Sequence, residues 1–342
     1  MASPISAGSK NASPLTSSSV DIVQEKIFIT PDENFETAFF SIEYQIKSNQ
    51  LGKQIPLLFY AIDYQGDFKV WIDDKEINLR DIPKELLNQD STFLQDFTYL
   101  FDSTDNIYSD NEIILESNNW YGYSVKINDF KYFETEITNE FHTIRVEYVA
   151  KNWVDRSDWI KKYSFRYALS PAKYWKSFGE LEVIIDKSKF EGELTSNLGD
   201  PSEGSLDKKA KWRFSSLPHE FIELKYKPDG PSQSTLKSIP FISSVVAGIL
   251  LTILHFYIIK FYRKKNPESK FSYPLVLGSL IVPFLSLTVF MYSYDIIDAL
   301  IGEHASGYHG YVFVYTFSYP IIVPIYLLSM WLTDIDMKKK YS

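Results

Sequence analysis

The side chains best suited to chemistry crowd into one short stretch, Ser293 to Gly310 (SYDIIDALIGEHASGYHG). Asp295 and Asp298 are three residues apart, so a helix would set both carboxylates on one face. Glu303, His304 and His309 follow within eleven residues of Asp298. Carboxylates and imidazoles are ligands for divalent metals, which makes these five the candidate metal ligands. The spacing is not His-Glu-x-x-His and fixes no ligand pair, so the plain alternative is a solvated acidic loop.

A second stretch, Asn152 to Gly179, sets Trp153, Trp159 and Trp175 beside Asp155 and Asp158. Flat rings with nearby carboxylates can hold hydroxylated ligands. Aromatics are 16% of the whole chain, however, and also fill β cores, so these five form a candidate ligand site with a structural rival. A third candidate is His255, an imidazole inside an apolar run, where ionisable groups are functional candidates by default. Its rival role is a hydrogen bond to a neighbouring helix. Nucleophile elbows, phosphate loops and dinucleotide fingerprints are absent. With no cysteine, thiol catalysis, zinc thiolates and disulfides are excluded. No particular cofactor is specified.

The elements that must position these residues divide the chain in two. Three runs are apolar and long enough to cross ~30 Å of hydrocarbon: 239–262, 273–292 and 311–332. Arg263, Lys264, Lys265 and Lys270 lie between the first two runs, and Lys338, Lys339 and Lys340 follow the third. The stretch 293–310 has no Lys or Arg. Basic loops stay on the cytoplasmic side, so the front domain is expected outside the cytoplasm and the C-terminus inside. Pro274 suits the first turn of the second helix. Pro283, Pro320 and Pro324 interrupt the helical hydrogen bonding and are expected to kink the spans.

Residues 20–227 read as mainly β. Ala38, Phe40, Ile42, Tyr44 and Ile46 alternate as one face of a strand, and Ile55 to Ile62 suits a central strand. Phe68–Ile72 and Glu76–Leu79 flank a polar turn, as in a hairpin. Further strands are expected at 112–116, 121–127, 141–149, 162–169, 180–186, 211–214 and 221–226, with a short helix at 82–89. The expected fold is a mainly β, β-sandwich-like external domain followed by an α-helical transmembrane region of three helices. Residues 1–19 are small and polar, a disordered segment resembling the stretch after a signal-peptide cleavage site. A signal peptide is therefore expected in the natural precursor. Residues 228–238 are a linker, and 239–342 the membrane domain.

Charge separates the same halves. Split after Lys237, the front carries −11 and the tail +2, together the −9 of the chain. An acidic front repels nucleic acid, so partners are expected to be the lipid bilayer and a protein partner or second copy. An external β domain ahead of out–in, in–out and out–in helices resembles the order in pentameric ligand-gated channels. That family has a fourth span and a Ser/Thr-lined second one, whereas this chain has three and an apolar second. The reading is a non-catalytic protein of a bacterial cell envelope, bound to a protein or envelope component as an accessory or subunit of a membrane complex. A metal-dependent membrane enzyme using 293–310, or a channel or transporter subunit, are the alternatives.

Overall fold

The structure is a computed structural model that describes residues 2–4, 17–48, 54–60, 64–80, 112–115, 123–126, 130–136, 139–169, 172, 175–307, 309 and 312–341. The expected helix at 82–89 lies outside them. In chain order the first strands are β1 (Ala2–Pro4), β2 (Ser17–Pro31), β3 (Thr37–Ser48), β4 (Gln54–Tyr60), β5 (Tyr64–Ile72), β6 (Lys75–Glu76), β7 (Glu112–Leu115), β8 (Tyr123–Lys126) and β9 (Phe130–Glu136). The rest are β10 (Phe141–Lys151), β11 (Trp153–Asp155), β12 (Lys162–Ala168), β13 (Trp175–Asp186), β14 (Leu194–Ser196), β15 (Glu203–Gly204), β16 (Lys209–Phe214) and β17 (Phe221–Tyr226). Three helices follow: α1 (Gln233–Lys265), α2 (Tyr273–Ile301) and α3 (Tyr319–Tyr341).

The chain forms two compact units. One comprises Met1–Val154 and Lys162–Lys227, the other Asp155–Lys161 and Pro228–Ser342. The seven-residue segment Asp155–Lys161, from the last residue of β11 to the start of β12, thus belongs with the helices.

In the first unit an eight-stranded sheet runs β15-β16-β13-β2-β3-β10-β5-β6, and a four-stranded sheet runs β11-β12-β17-β14. The expected central strand β4 does sit between two neighbours, β1 and β9, in a smaller sheet. Most pairings are antiparallel, but β13 runs parallel to β2. The alternation read from β3 is seen in its burial, with every second residue from Ala38 to Ser48 facing inward. The hairpin turn is tighter than the polar run suggested. Asp73 and Asp74 alone make it, both with positive φ, as a twist-matched two-residue turn demands. His142 Nδ1 then donates to Asp73 Oδ2 at 2.5 Å, pinning the turn to β10.

One apolar core serves both sheets. Val20, Ile27, Phe40, Ile42, Val183 and Trp212 come from the larger sheet, and Phe165, Tyr167, Ile222 and Leu224 from the smaller. Each such large side chain contributes about 2 kcal/mol on burial. Phe35, between β2 and β3, is fully buried at φ 59°. A left-handed Phe costs ~1–2 kcal/mol, offset by its ring packing on Phe165 at 4.7 Å and Phe190 at 5.1 Å.

A bulge decides which side chains of β2 face that core. The β2–β3 register shifts between Ile22 and Gln24. Before the shift Val20 and Ile22 are buried; after it Glu25, Ile27 and Ile29 are. The neighbouring strand accommodates the bulge with Gly179, where a Cβ would lie 2.1 Å from the Val23 carbonyl oxygen.

In the second unit all three helices are long and apolar enough to cross a membrane, over Ser234–Lys265, Tyr273–His304 and Val312–Tyr341. Ser232 caps α1 by accepting from the Thr235 amide, and Arg263, Lys264 and Lys265 fill its last turn, where cations complement the helix dipole. Pro274 occupies the first turn of α2, as expected. Pro283 and Pro324 sit inside continuous helices, while Pro320 falls in the first turn of α3. A 3-10 turn, Val312–Ser318, leads into α3.

Candidate functional site

The stretch 293–310 is less of a loop than its charge suggested. Ile296, Ile297, Leu300 and Ile301 recur at helical spacing, and α2 continues through Ile301 before a 3-10 turn, Gly302–His304. Asp295 and Asp298 therefore lie on the last turns of a helix. Asp295 is exposed, whereas Asp298 is half-buried and accepts from His309 Nε2 at 2.7 Å. His304 Nε2 stands 3.6 Å from its neighbour Glu303. Of the five candidate ligands, the structure thus joins Asp298 to His309 and Glu303 to His304. Among the described residues, no three His or carboxylate side chains converge as a metal site would need.

What covers the Asp298–His309 pair comes from the segment Asp155–Lys161. Trp159, 8% exposed, stacks on Tyr294 at 5.3 Å and 12° and meets the His309 ring at 4.6 Å. Tyr294 meets the same imidazole at 5.1 Å. Trp159, Ile160, Leu236 and Ile297 form a small buried cluster. Backbone bonds fix the segment from both sides. Ser306 N–H donates to the Trp159 carbonyl at 2.9 Å, and Lys161 N–H to the His304 carbonyl at 2.8 Å. Ile160 and Ala305 form an antiparallel bridge, and Lys161 Nζ donates to the Glu303 carbonyl at 2.8 Å. Gly230 gives way to the Ile160 side chain, since a Cβ there would lie 2.4 Å from Ile160 Cδ1. Chemically, Asp298 fixes the orientation of an imidazole whose flanks are taken by aromatic rings. The arrangement is built for stacking and for holding a clasp as much as for moving a proton.

The five residues of the aromatic candidate site do not come together. Trp153 lies under the Arg166 guanidinium at 5.1 Å. Trp175 is buried in the β core. Asp155 caps its own turn, accepting from Ser157 N–H at 2.8 Å, and Asp158 is half-buried beside Trp159 in the chain. Asp155, Asp158 and Trp159 belong to the helical unit, and of these Trp159 packs into its buried cluster.

His255 hydrogen-bonds both neighbouring helices. Its Nε2 donates to the Pro274 carbonyl at 2.9 Å, which leaves Nδ1 to accept from the Tyr326 hydroxyl at 3.0 Å. One imidazole thereby ties α1 to both other helices. Gly278 makes room for it, because a Cβ there would lie 2.1 Å from His255 Nε2. Two groups were missed as site candidates in the sequence. Arg263 and Asp334, on α1 and α3, form a forked ion pair with side chains only 3% and 5% exposed. Their opposite charges at the basic ends of two spans were the available signal. Glu25, fully buried in the β core, gave none, because the bulge that turns it inward is not written in the periodicity.

No family model matches, and no curated protein matches. Among solved structures, a Legionella pneumophila protein described as nutrient-binding aligns at TM-score 0.40 and 13% identity, over 66% of this chain and 69% of that one. Yeast leukotriene A4 hydrolase aligns at TM-score 0.35 and 9% identity, over 66% of this chain and 32% of its own. A zinc metallopeptidase of the M1 class from Deinococcus radiodurans aligns at 0.29 and 7%, over 62% and 43%. The chain spans less than half the length of the hydrolase and the metallopeptidase, and similarity this low carries no functional argument.

Proposed function

We propose that this chain is a non-catalytic, multi-pass membrane protein whose β domain, outside the cytoplasm, binds a protein or envelope component as part of a larger membrane complex. The observation that carries the reading is the state of the helices. Their apolar surface is turned outward: Phe241, Leu250, Phe261, Leu300, Phe317 and Ile321 are each more than 60% exposed. None of the most apolar stretch of the third span is buried within the chain. Such surface is stable only against lipid or other helices. The basic clusters at 263–270 and 338–340 support a cytoplasmic C-terminus, and with it a position in a bacterial cell membrane. Three spans exceed what an anchor needs, and the contacts among them leave most of their surface for partners.

The test is native mass spectrometry of the full chain in lipid nanodiscs, paired with cross-linking in native membranes. A stoichiometric complex, with itself or with one partner, supports the proposal. A monomer that cross-links to nothing in its own membrane overturns it.

A further inference from the structure

A carboxylic acid in the β core has no task in the reading above. Glu25 is 0% exposed on β2, opposite Tyr44 of β3 on one side and Leu181 of β13 on the other. Tyr167 of β12 donates its hydroxyl to Glu25 Oε1 at 2.8 Å. Because that proton is committed, the Tyr44 hydroxyl, 2.7 Å from Tyr167 Oη, donates to it in turn. Tyr148 of β10 is the third phenol around the carboxyl, its own ionisation pushed up by burial and by Glu25. No Lys or Arg side chain is paired with Glu25 among the described residues, and Oε2 has no hydrogen-bond partner there.

A fully buried carboxylate held by neutral phenols, with no Lys or Arg beside it among the described residues, is expensive, so the group keeps its proton instead. Burial raises the Glu25 carboxyl from its ordinary 4.5 to about 7, against the lowering pulls of the Tyr167 bond, the amino-terminal charge and the Tyr44 bond. The bond from Tyr167 is also what joins the two sheets at this point, since β2 lies in the larger and β12 in the smaller.

We propose that Glu25 is a proton-operated lock in the core between the two sheets: protonated it is buried at little cost, and ionised its lost hydration favours parting of β2 from β12 even though the Tyr167 bond tightens. The sign follows from linkage. The unfolded chain ionises Glu25 near 4.5 and the folded chain only near 7, so the stability held at low pH drains away between those values and is constant above them. From pH 5 to pH 8 the opening equilibrium rises about 70-fold for this one group. The lock does not depend on the membrane reading and would work on either side of a bilayer.

Hydrogen exchange of the full chain in detergent tests it, read on peptides covering 17–31 and 162–168 and corrected for the intrinsic pH dependence of exchange. In the wild type, protection of both strands is expected to fall by about 70-fold from pH 5 to pH 8. Glu25→Gln keeps the acceptor for Tyr167 but cannot ionise, and its protection should not change with pH. Tyr167→Phe removes the strongest donor to the carboxylate, so the pH midpoint should move upward, a shift that mere loss of packing would not cause. Protection that is flat with pH in the wild type overturns the lock, even if neither variant folds. So does an unchanged pH dependence in Glu25→Gln.

Discussion

The Arg263–Asp334 pair yields the sharpest quantitative expectation for the helical unit. Nε of Arg263 donates to Asp334 Oδ1 at 2.7 Å, Nη2 to Oδ2, and Nη1 to the Ser269 carbonyl at 2.7 Å. The guanidinium therefore holds α1, the α1–α2 connection and α3 together, with both side chains at least 95% buried. Asp334→Leu would leave the arginine with Ser269 alone, and Arg263→Met would leave a buried carboxylate with neither donor. Removing one member of such a pair costs roughly 3–5 kcal/mol. The double replacement buries neither charge, and its stability should return to within about 1 kcal/mol of the wild type or exceed it. The coupling between the two changes is then at least ~5 kcal/mol. The assay is reversible unfolding of the full chain in mixed micelles, followed by helical circular dichroism, for the four members of the cycle. Single changes that each cost under about 1 kcal/mol, with an additive double, would mean the pair is solvated and the reasoning is wrong.

Four further outcomes are expected. Trp159→Ala should remove the ring that covers His309 and lower the exchange protection of the Lys161 and Ser306 amides at least tenfold, while the β2 and β3 amides keep theirs; unchanged protection would show that the backbone bonds alone hold the segment. Gly179→Ala should destabilise the β unit by roughly 3 kcal/mol in urea titration, because its methyl would meet the Val23 carbonyl. Gly278→Val should displace His255 from Pro274 and lower the melting temperature of the helices, with His255→Ala in the same background adding little further. A tag on Ser342 should be reached by antibody only after permeabilisation of cells, whereas one near Asn197 should be reached without it.

The sequence was most informative where a single periodicity governs a whole element. The alternation of Ala38 through Ile46 and the three apolar runs needed no tertiary information. β2 was harder to read, because the bulge at Val23 breaks its alternation and places Glu25 where the pattern calls for an apolar residue. The candidate site was legible only in pieces. Trp159 and the acidic stretch each stood out by residue type, yet Lys161 and Glu303 are 142 residues apart, and nothing local tells one to meet the other. The same holds for Arg263 and Asp334, which read separately as solvated charges until two helices bring them side by side. Trp153, Trp159 and Trp175 show the reverse error: neighbours in sequence, they are sent to three surroundings by strand direction and by the departure of the 155–161 segment.

The parallel pairing of β2 with β13 sets the order in which the β unit can be assembled. β2 and β3 are near in sequence and can zip as soon as both have emerged, but the other edge of β2 must wait for residues 175–186. Until then the growing chain carries an open apolar edge ready to join any passing strand. Closing so distant a pair makes folding slow. A nascent chain of this kind gains from a chaperone that shields that edge until β13 arrives.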